Sequence, residues 1–234
     1  PLDLADQVFV FKRTLREAAL KHGVYATFMA KPMRDEPGSS MHIHQSLIDA
    51  KTGKNVFDDN GEPSALFYHY LGGLQQYTPN AISFFAPNVN SYRRFSPEMA
   101  APINMNWGFD NRTAGLRIPY AAPEATRIEN RFPGADCNPY LAIAATLACG
   151  YLGIKQQLKP TDPIQGNVRP SEYPEVEIAR TLEEGLRLLE DCEPLCDILG
   201  NDFVTAYMGV KRSEFETFNR VISSWEREHL LLNV

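Results

Sequence analysis

Apolar positions at the start of the chain recur with a helical period. Leu4, Val8, Phe11, Leu15 and Ala18 share one face, Asp3 stands where a cap is needed, and His22-Gly23 closes the run. The period then shortens. Val24 to Lys31 is rich in β-branched and aromatic residues and predicts a strand, and a loop of proline and charge, Pro32 to Pro37, follows it. From Gly38 to Leu47, strand alternation sets Ser40, His42, His44 and Ser46 on one side and Met41, Ile43 and Leu47 on the other. A turn over 49–54 and the apolar pair Val56-Phe57 predict a hairpin carrying both histidines.

The pattern continues with Ser64 capping a helix from Ala65 to Tyr77, bounded by Pro63 and Pro79. Three strands are predicted over Ile103 to Phe109, Arg112 to Pro119 and Ala125 to Phe132. Asn138-Pro139 starts a helix that runs to about Leu158 and is apolar nearly all round, as a central packed element is. Pro160 to Pro174 reads as a surface loop. Thr181 and Glu184 form a capping box ahead of a Leu182, Leu186, Leu189 stripe, and Val204 to Leu232 is helical. The predicted class is α+β: an antiparallel curved sheet in the first half, with flanking helices.

Composition narrows the functional classes. A chain of 234 residues with 44% hydrophobic content buries a sizeable core, and no composition shift marks a domain boundary. A net charge of -6 argues against a general nucleic-acid surface, whereas small anions remain open as ligands wherever basic residues converge. The stretch Pro139 to Ile154 is too short and too rich in Ala and Gly for a membrane span. No signal peptide is visible at Pro1-Leu2-Asp3, and a first residue other than Met suggests a fragment. The cysteines Cys137, Cys149, Cys192 and Cys196 form no Cys-x-x-Cys pair and read as reduced thiols, with Pro194 expected to spoil a helix between the last two. A cytoplasmic protein is expected.

Candidate chemistry gathers in two stretches. His42 and His44, two apart on a strand, point the same way, so both can reach one anion or one metal ion; they are equally well read as ordinary hydrogen-bonding strand residues. Between positions 93 and 131 stand Arg93, Arg94, Arg112, Arg117, Arg127 and Arg131, with no lysine among them. Arginine offers a planar fork that grips carboxylate or phosphate, which suggests oxyanion recognition. Alternation in Arg127-Ile128-Glu129-Asn130-Arg131-Phe132 puts Glu129 between two guanidiniums, either as an ion-pair ladder or as a metal ligand flanked by anion clamps.

Taken in order, these motifs resemble the glutamine synthetase superfamily over nearly the whole chain. The resemblance rests on Lys31-Pro32, Gly38-Ser39 with Met41-His42-Ile43-His44-Gln45-Ser46-Leu47, Asn90-Ser91-Tyr92-Arg93-Arg94, Asn111-Arg112-Thr113, Leu116-Arg117-Ile118-Pro119, Arg127-Ile128-Glu129 with Arg131-Phe132-Pro133, and Asn138-Pro139-Tyr140. It implies a partial glutamine synthetase/guanido kinase-like catalytic domain over 1–234, N-terminally truncated, of the type I or γ-glutamylpolyamine synthetase kind. The implied reaction uses ATP to phosphorylate the side-chain carboxylate of glutamate, after which an amine displaces phosphate.

Carried over by position, His42 and Glu129 would bind the metal, Mg2+ or Mn2+, and His44 and Ser46 would lie at the nucleotide. Gly38 would contact glutamate through its backbone, and Arg94 and Arg131 would bind glutamate carboxylates. Arg112 would serve catalysis, with Arg117 and Arg127 facing the phosphates. The implied partners are glutamate, ATP and an amine, with a homo-oligomer expected for a complete protein. Further metal-binding carboxylates would lie upstream of Leu4, so these 234 residues alone are expected to be inactive. The sequence departs from the family pattern at Ala100, where a glutamate of the ammonium pocket is usual, at Pro37, Ser40 and Glu124. Loss of that carboxylate points to an organic amine or polyamine as acceptor in place of ammonia.

Overall fold

A computed structural model describes residues 1–96, 101–166 and 178–234. In chain order the elements are α1 (Leu2–Lys21), β1 (Ile43–Gln45), β2 (Asp58–Asp59), β3 (Glu62–Pro63), α2 (Ala65–Phe85), α3 (Val89–Tyr92), β4 (Trp107–Phe109), β5 (Leu116–Ile118), β6 (Ile128–Asn130), α4 (Pro139–Gln156), α5 (Leu182–Glu190), α6 (Glu193–Leu199), α7 (Asn201–Asn219) and α8 (Ser224–Leu230). The class is α+β, with helices flanking the sheet.

The four-stranded sheet has the order β1-β6-β5-β4. β6 pairs antiparallel with both β1 and β5, whereas β4 and β5 run parallel, so the sheet is mixed where alternation alone suggested an antiparallel one. Its strands are shorter than the alternating runs. Ile103 to Met105 lies outside β4, and Pro123–Ala125 forms a 3-10 turn ahead of β6.

The central helix α2 starts where Ser64 Oγ accepts the Phe67 N–H at 3.1 Å. It continues through Pro79 to Phe85, past the expected stop. Ala81, Ile82, Phe84 and Phe85 are all buried, and burial on that scale outweighs the one hydrogen bond proline removes. α4 begins at Asn138, whose side chain accepts the Tyr140 N–H at 2.9 Å. The core lies between these two helices and one face of the sheet, where Leu116, Ile118 and Ile128 are buried.

Four local expectations are corrected. Val24 to Lys31 is not a strand: the Lys31 backbone pairs with the Asn90 side chain. The hairpin after β1 closes through the single bridge Ile48↔Asn55 and a Val56 N–H to Leu47 carbonyl bond of 2.9 Å, so Val56-Phe57 is no strand and the ladder partner of β1 is β6. Pro194 does not prevent a helix, because it sits in the first turn of α6, where its missing N–H is not needed. Glu184 also reaches one residue further than expected, accepting the Arg180 N–H at 2.9 Å while Thr181 caps Glu184. The Pro160 to Pro174 loop is described only to residue 166; the rest lies outside the described residues. All four cysteines are free and buried. No helix among the described residues is long and apolar enough to cross a membrane.

Candidate active site

Strand register builds the site. His44 on β1, Glu129 on β6 and Arg117 on β5 are direct partners, which puts all three side chains in one row on the same sheet face. Glu129 is 2% exposed and sits at the middle of the row. One carboxylate oxygen, Oε1, lies 3.0 Å from His42 Nδ1 and accepts from Arg131 Nη1 at 2.9 Å. The other, Oε2, accepts from Arg117 Nη1 at 2.6 Å and lies 4.0 Å from His44 Nε2. Burial alone would raise the Glu129 pKa. Hydrogen bonds from His42 and Arg117, with the Arg131 charge, overcome it and hold the carboxyl at about 2.

The two imidazoles are oriented by different partners. A carboxylate only accepts, so His42 presents Nδ1–H to Glu129. His44 Nδ1 accepts from Arg127 Nε at 3.3 Å, which sets the hydrogen on Nε2. Burial lowers the His44 pKa; Glu129 opposes the shift and Arg127 adds to it.

Asp110 is a residue that the motif reading missed. It takes both the Nε and Nη2 donors of Arg117 on one carboxylate oxygen, Nε at 3.1 Å. Arg117 is thereby held between two carboxylates, which raise its pKa although burial lowers it. Asp110 adopts a left-handed φ of 45° just past β4, and its N–H donates to the Ile118 carbonyl at 2.8 Å. Asp tolerates that backbone better than most residues, so the Asp110-Asn111 pair ahead of Arg112 was the available signal.

A second grouping lies where the chain leaves β6. Arg94 is 3% exposed, and its Nη2 donates to the Phe132 carbonyl. Burial lowers its pKa to about 10. Gly38 lies against the Arg94 stem: a Cβ there would come within 2.9 Å of Arg94 Cγ and 2.5 Å of the Ala30 carbonyl oxygen, so only glycine fits.

His42, His44, Arg117, Arg127, Glu129 and Arg131 therefore form one cluster, and Gly38 and Arg94 a neighbouring one. Arg112 is exposed in the turn between β4 and β5, close enough for its charge to lower the Arg131 pKa but outside the Glu129 hydrogen bonds. Ser46 is exposed just beyond β1. Ala100 lies outside the described residues.

Arg117 and Arg131 meet Glu129, Arg117 also meets Asp110, Arg127 meets His44, and Arg112 adds a fourth positive charge nearby. Such an excess favours a bound oxyanion. One imidazole and one carboxylate at 3.0 Å suit a divalent cation as part of a ligand set. No group of three or more His, Cys, Asp or Glu that could hold a metal is assembled among the described residues.

The fold is that of a catalytic domain of the glutamine synthetase type. A family model described as "Glutamine synthetase, catalytic domain" matches residues 1–230, and the chain belongs to that family. It is 41% identical over 230 residues to glutamate–isopropylamine ligase of Pseudomonas, covering 96% of this chain and 50% of the relative. It is 38% identical over 233 residues to γ-glutamylputrescine synthetase PuuA of Escherichia coli, covering 99% of this chain and 49% of the relative. A solved structure titled "Apo GmaS without ligand" superposes with a TM-score of 0.86 at 34% identity, covering 97% of this chain and 53% of that one. The chain thus spans about half the length of the curated relatives it matches.

Proposed function

We propose that the complete protein is an ATP-dependent ligase that joins glutamate to an amine through γ-glutamyl phosphate, and that 1–234 is the greater part of its catalytic domain. The observation that carries this reading is the buried Glu129 carboxylate ringed by His42, Arg117 and Arg131 on one sheet face. Phosphoryl transfer asks little of a protein beyond positioning and neutralisation of oxygens, and this face supplies both.

In this reading the side-chain carboxylate of glutamate attacks the γ-phosphorus and ADP leaves. The amine nitrogen then attacks the acyl carbon, phosphate leaves, and the nitrogen gives up a proton. Gly38, Arg94 and Arg131 hold glutamate; Arg117, Arg127, His44 and Ser46 face the nucleotide; Arg112 neutralises charge on the transferring group. A Mg2+ or Mn2+ ion held by His42 and Glu129, with further ligands, would neutralise phosphate oxygens. The exposed apolar residues of α1, Leu4, Phe9 and Phe11 among them, support a homo-oligomer.

An organic amine or polyamine is the proposed acceptor. The support is Ala100, at the sequence position where the family pattern usually carries a glutamate, and the two relatives whose names include isopropylamine and putrescine. The test is ADP release by the complete protein with glutamate, comparing ammonium with a panel of alkylamines and polyamines. A rate with ammonium comparable to that with the best organic amine rejects the acceptor. No ADP release with any of them rejects the ligase and favours a non-catalytic member of the family.

A further inference from the structure

Asn90 in the short helix α3 and Arg94, four residues on and just past the helix end, both act on the loop that leads into Gly38. Arg94 lies under Gly38 itself. Asn90 acts on the near end: its Oδ1 accepts the Lys31 N–H at 2.9 Å and its Nδ2 donates to the Lys31 carbonyl at 2.8 Å. One side-chain amide thus satisfies both backbone groups of Lys31, as a neighbouring strand would. The Lys31 ammonium, on a residue that is 8% exposed, then reaches across the loop and donates to the Glu36 carbonyl. The Ser39 N–H closes the loop on the Ala30 carbonyl at 2.8 Å.

The anchor itself is fixed. Asn88 Nδ2 and Ser91 Oγ both donate to Asp136 Oδ2, at 2.8 and 2.6 Å, which ties α3 to the segment that leaves β6. That segment pairs with the far side of the same loop, since Met41 N–H donates to the Pro133 carbonyl at 2.9 Å and Ala135 N–H to the Ser39 carbonyl at 3.1 Å. The residues between, Arg34, Asp35 and Glu36, are exposed and have few other means of holding a shape.

We infer that Asn90 and Lys31 are positioning residues that hold the Pro32–Pro37 loop closed, so that the Gly38 backbone is set in advance for glutamate. The inference rests on the proposed ligase reading. It assigns a task to a carboxamide and an ammonium that bond the backbone of this loop. Two lost hydrogen bonds of ordinary strength correspond to about a tenfold weakening of whatever the loop binds.

The experiment uses the complete protein with Asn90→Ala, Lys31→Met and Lys31→Arg, and has two readouts. The first is steady-state ADP release, with KM for glutamate and for ATP taken separately. The second is the rate of tryptic cleavage after Arg34, which needs no activity. Asn90→Ala and Lys31→Met are expected to raise the glutamate KM about tenfold, to leave the ATP KM within twofold, and to speed cleavage after Arg34; Lys31→Arg restores both. Unchanged cleavage in Asn90→Ala and Lys31→Met overturns the inference, as does an equal rise in both KM values, which would mark a merely structural role. If the wild type releases no ADP with glutamate, the ligase reading fails, and the cleavage rates alone then decide whether the clasp holds the loop.

Discussion

The two faces of the four-stranded sheet are built from alternate residues of the same strands, and they are held by different physics. On the inner face Leu116, Ile118 and Ile128 are buried against the helical layer. Even Asn130, fully buried there, donates to Thr146 Oγ1 at 3.2 Å. On the outer face, one residue along in each strand, Arg117 and Glu129 stand in a row with His44. The inner face is closed by area removed from water, which is indifferent to charge. The outer face is held by two carboxylates, Glu129 and Asp110, among a larger number of cations, an arrangement that stays positive overall and gains from a bound anion. Stability and chemistry are thus divided between neighbouring positions on three-residue strands.

Neighbouring substitutions should separate these roles. The largest effect is expected at Glu129: Glu129→Gln should lower ADP release by about a thousandfold or more, since it weakens the metal pair and leaves Arg117 and Arg131 without their carboxylate. Leu116→Ala, one residue from Arg117 but on the inner face, should cost about 2–5 kcal/mol in denaturant unfolding, while activity per folded molecule stays near wild type. A large loss of specific activity in Leu116→Ala would break the division.

Asp110→Ala should act in between, lowering kcat/KM for ATP about tenfold with little loss of stability, because Arg117 keeps Glu129 but loses the carboxylate on its Nε edge. Added to Arg117→Ala, the same change should have no further effect; additive losses would show that Asp110 acts elsewhere.

A further effect is expected in acid. The fold holds the Glu129 pKa at about 2, below its ordinary value of 4.5. Its contribution in the metal-free protein is therefore complete above about pH 4.5 and lost as pH falls toward 2. Glu129→Gln should flatten that part of a stability-against-pH curve, whereas Leu116→Ala should shift the curve down without changing its slope.

The alternation that separates these faces was legible in the sequence, and so were the residues that meet: His42, His44, Arg117, Arg127, Glu129 and Arg131. What the sequence did not carry is pairing. The parallel β4–β5 pair and the partnership of β1 with β6 depend on which strands lie side by side, and local pattern is silent about that. Val24 to Lys31 has strand composition, yet its last residue meets a side chain, Asn90, that no periodicity points to. Asp110 escaped notice for a related reason, since its importance comes from facing Arg117 across the β4–β5 turn. Pro79 misled in the opposite direction, because tertiary burial of Ile82 to Phe85 overrode a local stop signal.

The most direct measurement is a crystal structure of the complete protein with Mn2+ and ADP, with the metal located by its anomalous scattering. We expect manganese between the imidazole of His42 and the carboxylate of Glu129, with their 3.0 Å hydrogen bond opened and the ADP phosphates against Arg117 and Arg127. Manganese and nucleotide bound elsewhere, with that hydrogen bond intact, would contradict the assignment of this sheet face to catalysis.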